Sequence, residues 1–229
     1  MSRSWLLLFG GSFNPPHIGH LRILIETMEV LLPQEALFVP VALPAHKPAK
    51  GLLPFSVRCD MLRAALADMH SPMNIAVSQV ENEREGPSYT ADTLRLLAKA
   101  HPDKRLVFLM GSEDYERLPT WHLWRDIPRY ADLVVLPRSD AAPERFGAIT
   151  GAHWPDAAPA PCPCPGVGEA FSLQNGALLM LVPQPVFEVS STLVRERFLS
   201  GKCLDFLVSP GVADYMRTHA DLLSACWAG

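Results

Sequence analysis

The sequence predicts an α/β fold in which a parallel β-sheet carries helices on both faces. Three observations predict it. Short, continuously apolar runs recur, as in WLLLF (Trp5–Phe9), RLVFLM (Arg105–Met110) and DLVVL (Asp132–Leu136), the pattern of strands buried on both faces. Between them lie stretches whose apolar residues recur at helical spacing. Strand and helix alternate along the chain rather than segregating, which calls for crossover connections and hence a parallel sheet.

Taken in order, Trp5–Phe9 ends in glycine and reads as the first buried strand. Ile18, Leu21, Ile25, Met28 and Leu32 then mark a helix over 18–32. Ala36–Val41 reads as a second strand. Ser56 is placed to cap a helix continuing through Met61, Leu62, Ala65 and Leu66. Asn74–Val80 reads as a strand and Thr90–Ala100 as an amphipathic helix, followed by the strands at Arg105–Met110 and Asp132–Leu136. From Arg138 to Gly176 the rhythm breaks. DAAPAPCPCPGVGE replaces periodic apolar residues with proline and alanine, which cannot bury a core of their own, so a surface insertion or flap is expected at about 139–176. Order returns with a strand at Ala177–Val182. A helix then starts at Ser190 and Ser191 and runs through Arg197, and a last helix spans Val212–His219. The 229 residues read as one domain, 1–229, with a small helical part at about 191–229.

Composition narrows the function classes. Hydrophobic residues make up 48%, enough for a substantial core, and no apolar run approaches the roughly 18 residues of a membrane span. The apolar run near the N-terminus is shorter than that of a secretion signal, so a cytoplasmic protein without a membrane partner is expected. A formal net charge of −4 argues against nucleic-acid binding through bulk charge, but leaves room for a small anion held by local cations. Cys59, Cys162, Cys164, Cys203 and Cys226 are too scattered for a disulfide framework. Cys162 and Cys164 lack the second close Cys/His pair of a zinc site.

Chemistry concentrates in FGGSFNPPHIGHL, Phe9–Leu21. Gly10 and Gly11 leave room for a ligand against the main chain. The helix that follows offers N–H groups and the positive end of its dipole to a phosphate. The stretch is neither a Walker loop nor a G-x-G-x-x-G fingerprint. His17 and His20, three apart at the helix start, share a face and suit donation to phosphate oxygens. Gly19 keeps the turn between them uncluttered. A metal site here lacks a nearby third ligand. Downstream, SSTLVRERF places Ser191 and Arg195 four apart on one helical face, behind hydroxyls at the helix start that suit a second part of a polyphosphate. Alone, that stretch reads as an ordinary N-cap followed by a solvated arginine.

GGSFNPPHIGHL resembles the HxGH signature of the nucleotidylyltransferase superfamily, and SSTLVR resembles its C-terminal ISSTxIR motif. LPAHKP, GPSYTADTL, MGSEDYERLPTW and VVLPR resemble, in order and spacing, landmarks of the bacterial nicotinate mononucleotide adenylyltransferases. The resemblance covers nearly the whole chain except the Pro/Ala-rich insertion. It implies a Rossmann-like fold and a Mg²⁺-dependent reaction in which nicotinate mononucleotide attacks the α-phosphorus of ATP. The products are deamido-NAD and pyrophosphate, and Mg²⁺ is bound mainly through the ATP phosphates.

The resemblance also implies residue roles. His17, His20, Lys47 and Arg195 would be catalytic. Gly10, Gly11, Ser12, Phe13, Gly19, Gly111, Glu113, Ser190, Ser191 and Thr192 would join His17, His20 and Arg195 in binding ATP. Asn14, Lys47, Ser88, Tyr89, Thr90, Trp121, His122 and Arg138 would contact the mononucleotide, with Trp121 stacking on the pyridine ring and Arg138 on the phosphate. MGSED stands where the family has LGAD, so either Glu113 or Asp114 takes the customary carboxylate position. Nicotinamide mononucleotide is the nearest alternative substrate. Phosphopantetheine, another HxGH nucleotidyl transfer, a nucleotide sensor without catalysis and a metal-binding protein built on Cys162 and Cys164 are the more distant readings.

Overall fold

The computed structural model describes residues 4–45, 50–70, 74–137 and 142–228. The chain folds as two compact units and passes from one to the other inside β1 (Ser4–Gly11), α1 (Ile18–Leu31) and β2 (Glu35–Pro40). The first unit takes Met1–Gly10, Glu26–Ala36 and Tyr89–Val186; the second takes Gly11–Ile25, Leu37–Ser88 and Phe187–Gly229.

The first unit is built on a mostly parallel sheet, as the alternation of strands and helices implies. β1, β4 (Lys104–Gly111), β5 (Ala131–Leu136) and β8 (Leu178–Leu181) lie side by side and parallel. Leu6 is registered on Leu106, Leu109 on Val134 and Val135 on Leu181. Their side chains are sealed on both faces: every residue of β5 is buried, as are Leu6, Leu7, Leu8, Val107, Leu179 and Met180. That double burial is why these strands read as unbroken apolar runs. The exception is Asp132, whose carboxylate pairs with Arg105 and accepts the backbone N–H of Leu178, so the buried charge is compensated. Helix α3 (Thr90–Ala100) lays Ala91, Leu94 and Leu97 inward, with Asp92 in its first turn and Lys99 in its last to complement the dipole.

The insertion departs from expectation. Residues 142–153 form a helix, α5 (Ala142–His153), and the chain returns through β6 (Ala158–Pro159) and β7 (Glu169–Ser172), which extend the sheet antiparallel from β8. Phe146 and Thr150 are fully buried, and the Thr150 hydroxyl lies 2.7 Å from that of Tyr115. His153 and Trp154 close an aromatic cluster with Tyr115 and Trp124. The segment builds no core of its own and shares the one beside β4 and β5, a partnership that composition does not display.

In the second unit, β2 and β3 (Ile75–Val77) adjoin, and α2 (Phe55–Ala67) packs against α7 (Pro210–Thr218). The N-terminus of α7 is pinned by the Gly211 N–H, which donates to Asp68 Oδ2 at 2.7 Å. The α2 helix begins two residues earlier than its serine suggests: Pro54 holds the N-cap position and Ser56 lies inside the helix. Strand β3 is shorter than the expected 74–80. Helix α6 (Ser191–Leu199) is followed by α7 and by α8 (Ala220–Trp227), the last of which carries no periodic signal strong enough to be read in advance. No helix among the described residues is long and apolar enough to cross a membrane.

Candidate active site

The second unit holds a loop from Gly11 to His17 that bends the chain from β1 into α1. Phe13 adopts φ 47° and turns its ring inward onto Phe38 at 5.2 Å and His20 at 5.0 Å. A Cβ on Gly11 would lie 2.9 Å from that ring, so the second glycine is dictated by the aromatic behind the loop. The Asn14–Pro15 peptide is cis.

His17 and His20 stack with ring centroids 3.6 Å apart and planes 27° from parallel. A Cβ on Gly19 would come within 3.1 Å of His17 Nδ1, which explains the glycine between them. The His17 backbone N–H donates to His20 Nδ1 at 3.1 Å. Because Nδ1 accepts, the neutral His20 ring carries its proton on Nε2. The helix-start amides are less available than the dipole argument suggests. Ile18 N–H donates to the Leu207 carbonyl at 2.8 Å, and His20 N–H to that of His17 at 2.9 Å. Donation to an anion therefore rests on side chains more than on these amides.

Helix α6 meets the same loop. Ser190 is its N-cap and accepts the Leu193 N–H at 3.1 Å, the capping role that its sequence position suggests. Ser191 Oγ donates to the Pro15 carbonyl at 2.8 Å. Arg195 donates from Nη1 to the Asn14 carbonyl at 2.8 Å and from Nη2 to Thr192 Oγ1 at 3.0 Å. A guanidinium carries five donors, so these bonds do not exhaust it. His17, His20, Ser191 and Arg195 are thus gathered around one short loop.

Asn14, buried at 7% exposure, works as a brace. Its Nδ2 donates to the Gly51 carbonyl at 2.7 Å and its Oδ1 accepts the Leu53 N–H at 3.2 Å. Arg58 was not expected here at all. It lies fully buried on α2, with Nε donating to the Leu53 carbonyl at 2.9 Å and Nη1 to the Ser12 carbonyl at 2.8 Å. The signal existed: Arg58 stands on the apolar stripe continued by Met61, Leu62 and Ala65, where a cation is out of place unless it has buried partners. Burial holds its guanidinium below the ordinary arginine range. On α8, burial pushes the Cys226 thiol up, partly offset by the charge of Arg195. Ser88, also in this unit, uses its hydroxyl to accept the N–H groups of Ala42 and Leu43.

In the first unit, Tyr89 takes the N-cap position of α3 without a side-chain cap, and Thr90 is the first helical residue. The Tyr89 ring lies 4.3 Å from that of His122. Trp121 is partly buried while Trp124 is buried at 9% exposure, so of the two only Trp124 belongs wholly to the core. Gly111 ends β4 in extended backbone, and Glu113 and Asp114 both stand exposed in the first turn of α4 (Ser112–Glu116), so geometry favours neither. Lys47 and Arg138 lie outside the described residues. Among the described residues no three His, Cys, Asp or Glu side chains gather as a metal site.

A family model described as cytidylyltransferase-like matches residues 8–197. A curated relative from Maridesulfovibrio salexigens, named a probable nicotinate-nucleotide adenylyltransferase, is 30% identical over 220 residues, covering 96% of this chain and 98% of its own. A relative of the same name from Geobacter metallireducens is 33% identical over 209 residues, covering 91% and 94%. Among solved structures, the nicotinic acid mononucleotide adenylyltransferase of Plasmodium falciparum complexed with NaAD superposes with TM-score 0.68 at 17% identity, covering 96% of this chain and 97% of that one. A putative nicotinate-nucleotide adenylyltransferase from Vibrio parahaemolyticus gives TM-score 0.65 at 16% identity, covering 97% and 98%. At these identities the structural likeness speaks for the fold.

Proposed function

Because the chain belongs to the cytidylyltransferase-like family, and within it to the nicotinate-nucleotide adenylyltransferases, we propose that the loop from Gly11 to His20 and the start of α6 hold ATP for attack by nicotinate mononucleotide. The protein is a nucleotidyltransferase of NAD biosynthesis: it joins the adenylyl group of ATP to nicotinate mononucleotide, giving deamido-NAD and pyrophosphate.

The nucleophile is an oxygen of the mononucleotide 5′-phosphate, already ionised at neutral pH. Its bond to the α-phosphorus forms as the bond from that phosphorus to the bridging oxygen of pyrophosphate breaks. No covalent enzyme intermediate and no general base are required, so catalysis falls to positioning and charge stabilisation. His20 donates from Nε2 to a reacting phosphate oxygen, with His17 stacked beside it. Ser191 and Arg195 hold the phosphates that leave, and Lys47 adds positive charge. Gly10, Gly11, Ser12 and Phe13 shape the main chain against the nucleotide, with Gly111 and Glu113 contributing from the end of β4.

At the mononucleotide end, the partly buried Trp121 stacks on the pyridine ring. Tyr89, Thr90 and His122 receive the nicotinate carboxylate, and Arg138 holds the mononucleotide phosphate. Mg²⁺ would accompany ATP, held mainly through the nucleotide's own phosphate oxygens, and would neutralise charge on them. The whole chain is read as one catalytic domain of the cytoplasm.

The observation that carries the site assignment is the convergence of Ser191 and Arg195 on the carbonyls of Pro15 and Asn14, beside His17 and His20. The test is pyrophosphate release from ATP and Mg²⁺ with nicotinate mononucleotide, nicotinamide mononucleotide or phosphopantetheine offered in turn. Turnover with nicotinate mononucleotide is expected. A preference for the amide, or no turnover with any acceptor, overturns the assignment.

A further inference from the structure

We propose that Arg58, which lies outside every motif of the site, is a positioning residue that sets the geometry of the phosphate loop for adenylyl transfer. The inference rests on the function proposed above. Arg58 is 0% exposed, on a helix face where leucine or methionine would pack without electrostatic cost. Among the described residues no carboxylate pairs with it. Its compensation comes from two backbone carbonyls, with the Phe55 ring 5.5 Å from its central carbon, and among the described residues Nη2 has no hydrogen-bond partner. So costly a group is an inefficient way to hold α2 in place.

Its two bonds explain what it does. Nη1 holds the Ser12 carbonyl at the entrance of the loop, and Nε holds the Leu53 carbonyl. Leu53 in turn gives its N–H to Asn14 Oδ1, and Asn14 Nδ2 holds Gly51. The result is a closed ring of hydrogen bonds, Ser12–Arg58–Leu53–Asn14, sealed by the loop itself. Two of its carbonyl neighbours, Asn14 and Pro15, receive Arg195 and Ser191. Arg58 therefore fixes the stretch of backbone on which the phosphate-binding side chains are registered. A lysine has one nitrogen and cannot reproduce a planar fork that spans two carbonyls.

The test compares Arg58→Lys and Arg58→Met with the wild-type protein, measuring kcat, KM for each substrate, thermal unfolding and the imidazole NMR resonances of His17 and His20. Positioning predicts folded variants whose kcat falls roughly 10- to 100-fold, the scale of a misplacement of about 1 Å. KM for nicotinate mononucleotide stays within about twofold, and the histidine resonances move. Wild-type kcat per folded molecule with unmoved resonances overturns the proposal, whatever happens to the melting temperature. So does failure of both variants to fold, which makes Arg58 a requirement of the fold. If the wild-type protein itself turns over no substrate, the functional reading fails separately, and the resonances still decide whether Arg58 sets the loop.

Discussion

Arg195 Nη1 donates to the main-chain carbonyl of Asn14 at 2.8 Å, joining positions 181 residues apart in the chain. The arginine read from sequence as a phosphate ligand is therefore also a structural tie on the loop it serves. Ser191 makes the parallel tie to Pro15. On the proposed function, bracing and phosphate binding share one side chain, because the donors left on the guanidinium are aimed by those already engaged.

Substitution of Arg195 by lysine should separate the two roles from simple charge. The cation remains, but one ammonium cannot hold the Asn14 carbonyl, the Thr192 hydroxyl and a phosphate in fixed directions. Loss of charge-assisted bonding at this position corresponds to about 2 kcal/mol, or roughly 30-fold in kcat/KM for ATP. Steady-state kinetics with ATP varied checks it; a variant within twofold of wild type would take Arg195 out of the site.

His20 yields a prediction at the level of single nitrogens. Asparagine can supply an acceptor near the Nδ1 position and keep the His17 N–H satisfied, yet it cannot reach with a donor where Nε2 lies. Glutamine does the opposite. Loss of a preorganised donor to developing charge typically costs 10²- to 10³-fold in kcat. His20→Asn and His20→Ala should both show about that loss with the fold intact, while His20→Gln retains more activity. Equal turnover in the asparagine and glutamine variants would remove Nε2 from the reaction.

The two tryptophans should fail in different ways. Trp121→Ala removes an aromatic ring that the fold buries only in part, so KM for nicotinate mononucleotide should rise roughly fivefold to tenfold with a smaller change in melting temperature than Trp124→Ala. Trp124→Ala empties a core position packed on Trp154 and His153, at a cost of about 3–5 kcal/mol of stability. Paired kinetics and thermal denaturation distinguish them. A wild-type KM in Trp121→Ala would return the pyridine ring to some other partner.

The residues gathered around the loop were legible where their chemistry is local. His17 and His20 at i and i+3, and Ser191 and Arg195 at i and i+4, announce shared faces by spacing alone. What spacing does not encode is which distant backbone a side chain reaches, so the ties from Arg195 to Asn14 and from Arg58 to Ser12 stayed hidden. Arg58 was visible as a charge on an apolar stripe, but the sequence names no partner for it. The parallel strands were legible because burial on both faces leaves continuous apolar runs. Helix α5 was not, because Phe146 and Thr150 complete a core whose other half, Tyr115 and Trp124, lies some 30 residues earlier in the chain.

That α5 contact gives the last prediction, an alkaline one. Tyr115 is fully buried, and burial raises its hydroxyl pKa well above the ordinary value, partly offset by the hydrogen bond to Thr150. The unfolded chain releases this proton near pH 10, while the folded protein still holds it. Above that pH the unfolded state therefore binds fewer protons than the native state, and stability falls as pH rises, by up to about 1.4 kcal/mol per pH unit for this one group. Below pH 10 the contribution is fully present. Tyr115→Phe should lose about 1 kcal/mol at neutral pH, because the Thr150 hydroxyl is left buried without its partner. The variant should also lose this tyrosine's share of the alkaline decline, so that its stability curve converges on that of the wild type above pH 10. Urea denaturation at pH 7, 9, 10 and 11 measures both effects. Parallel curves across that range would show that the Tyr115 proton is released equally by the folded and unfolded chains, and that α5 does not seal it from solvent.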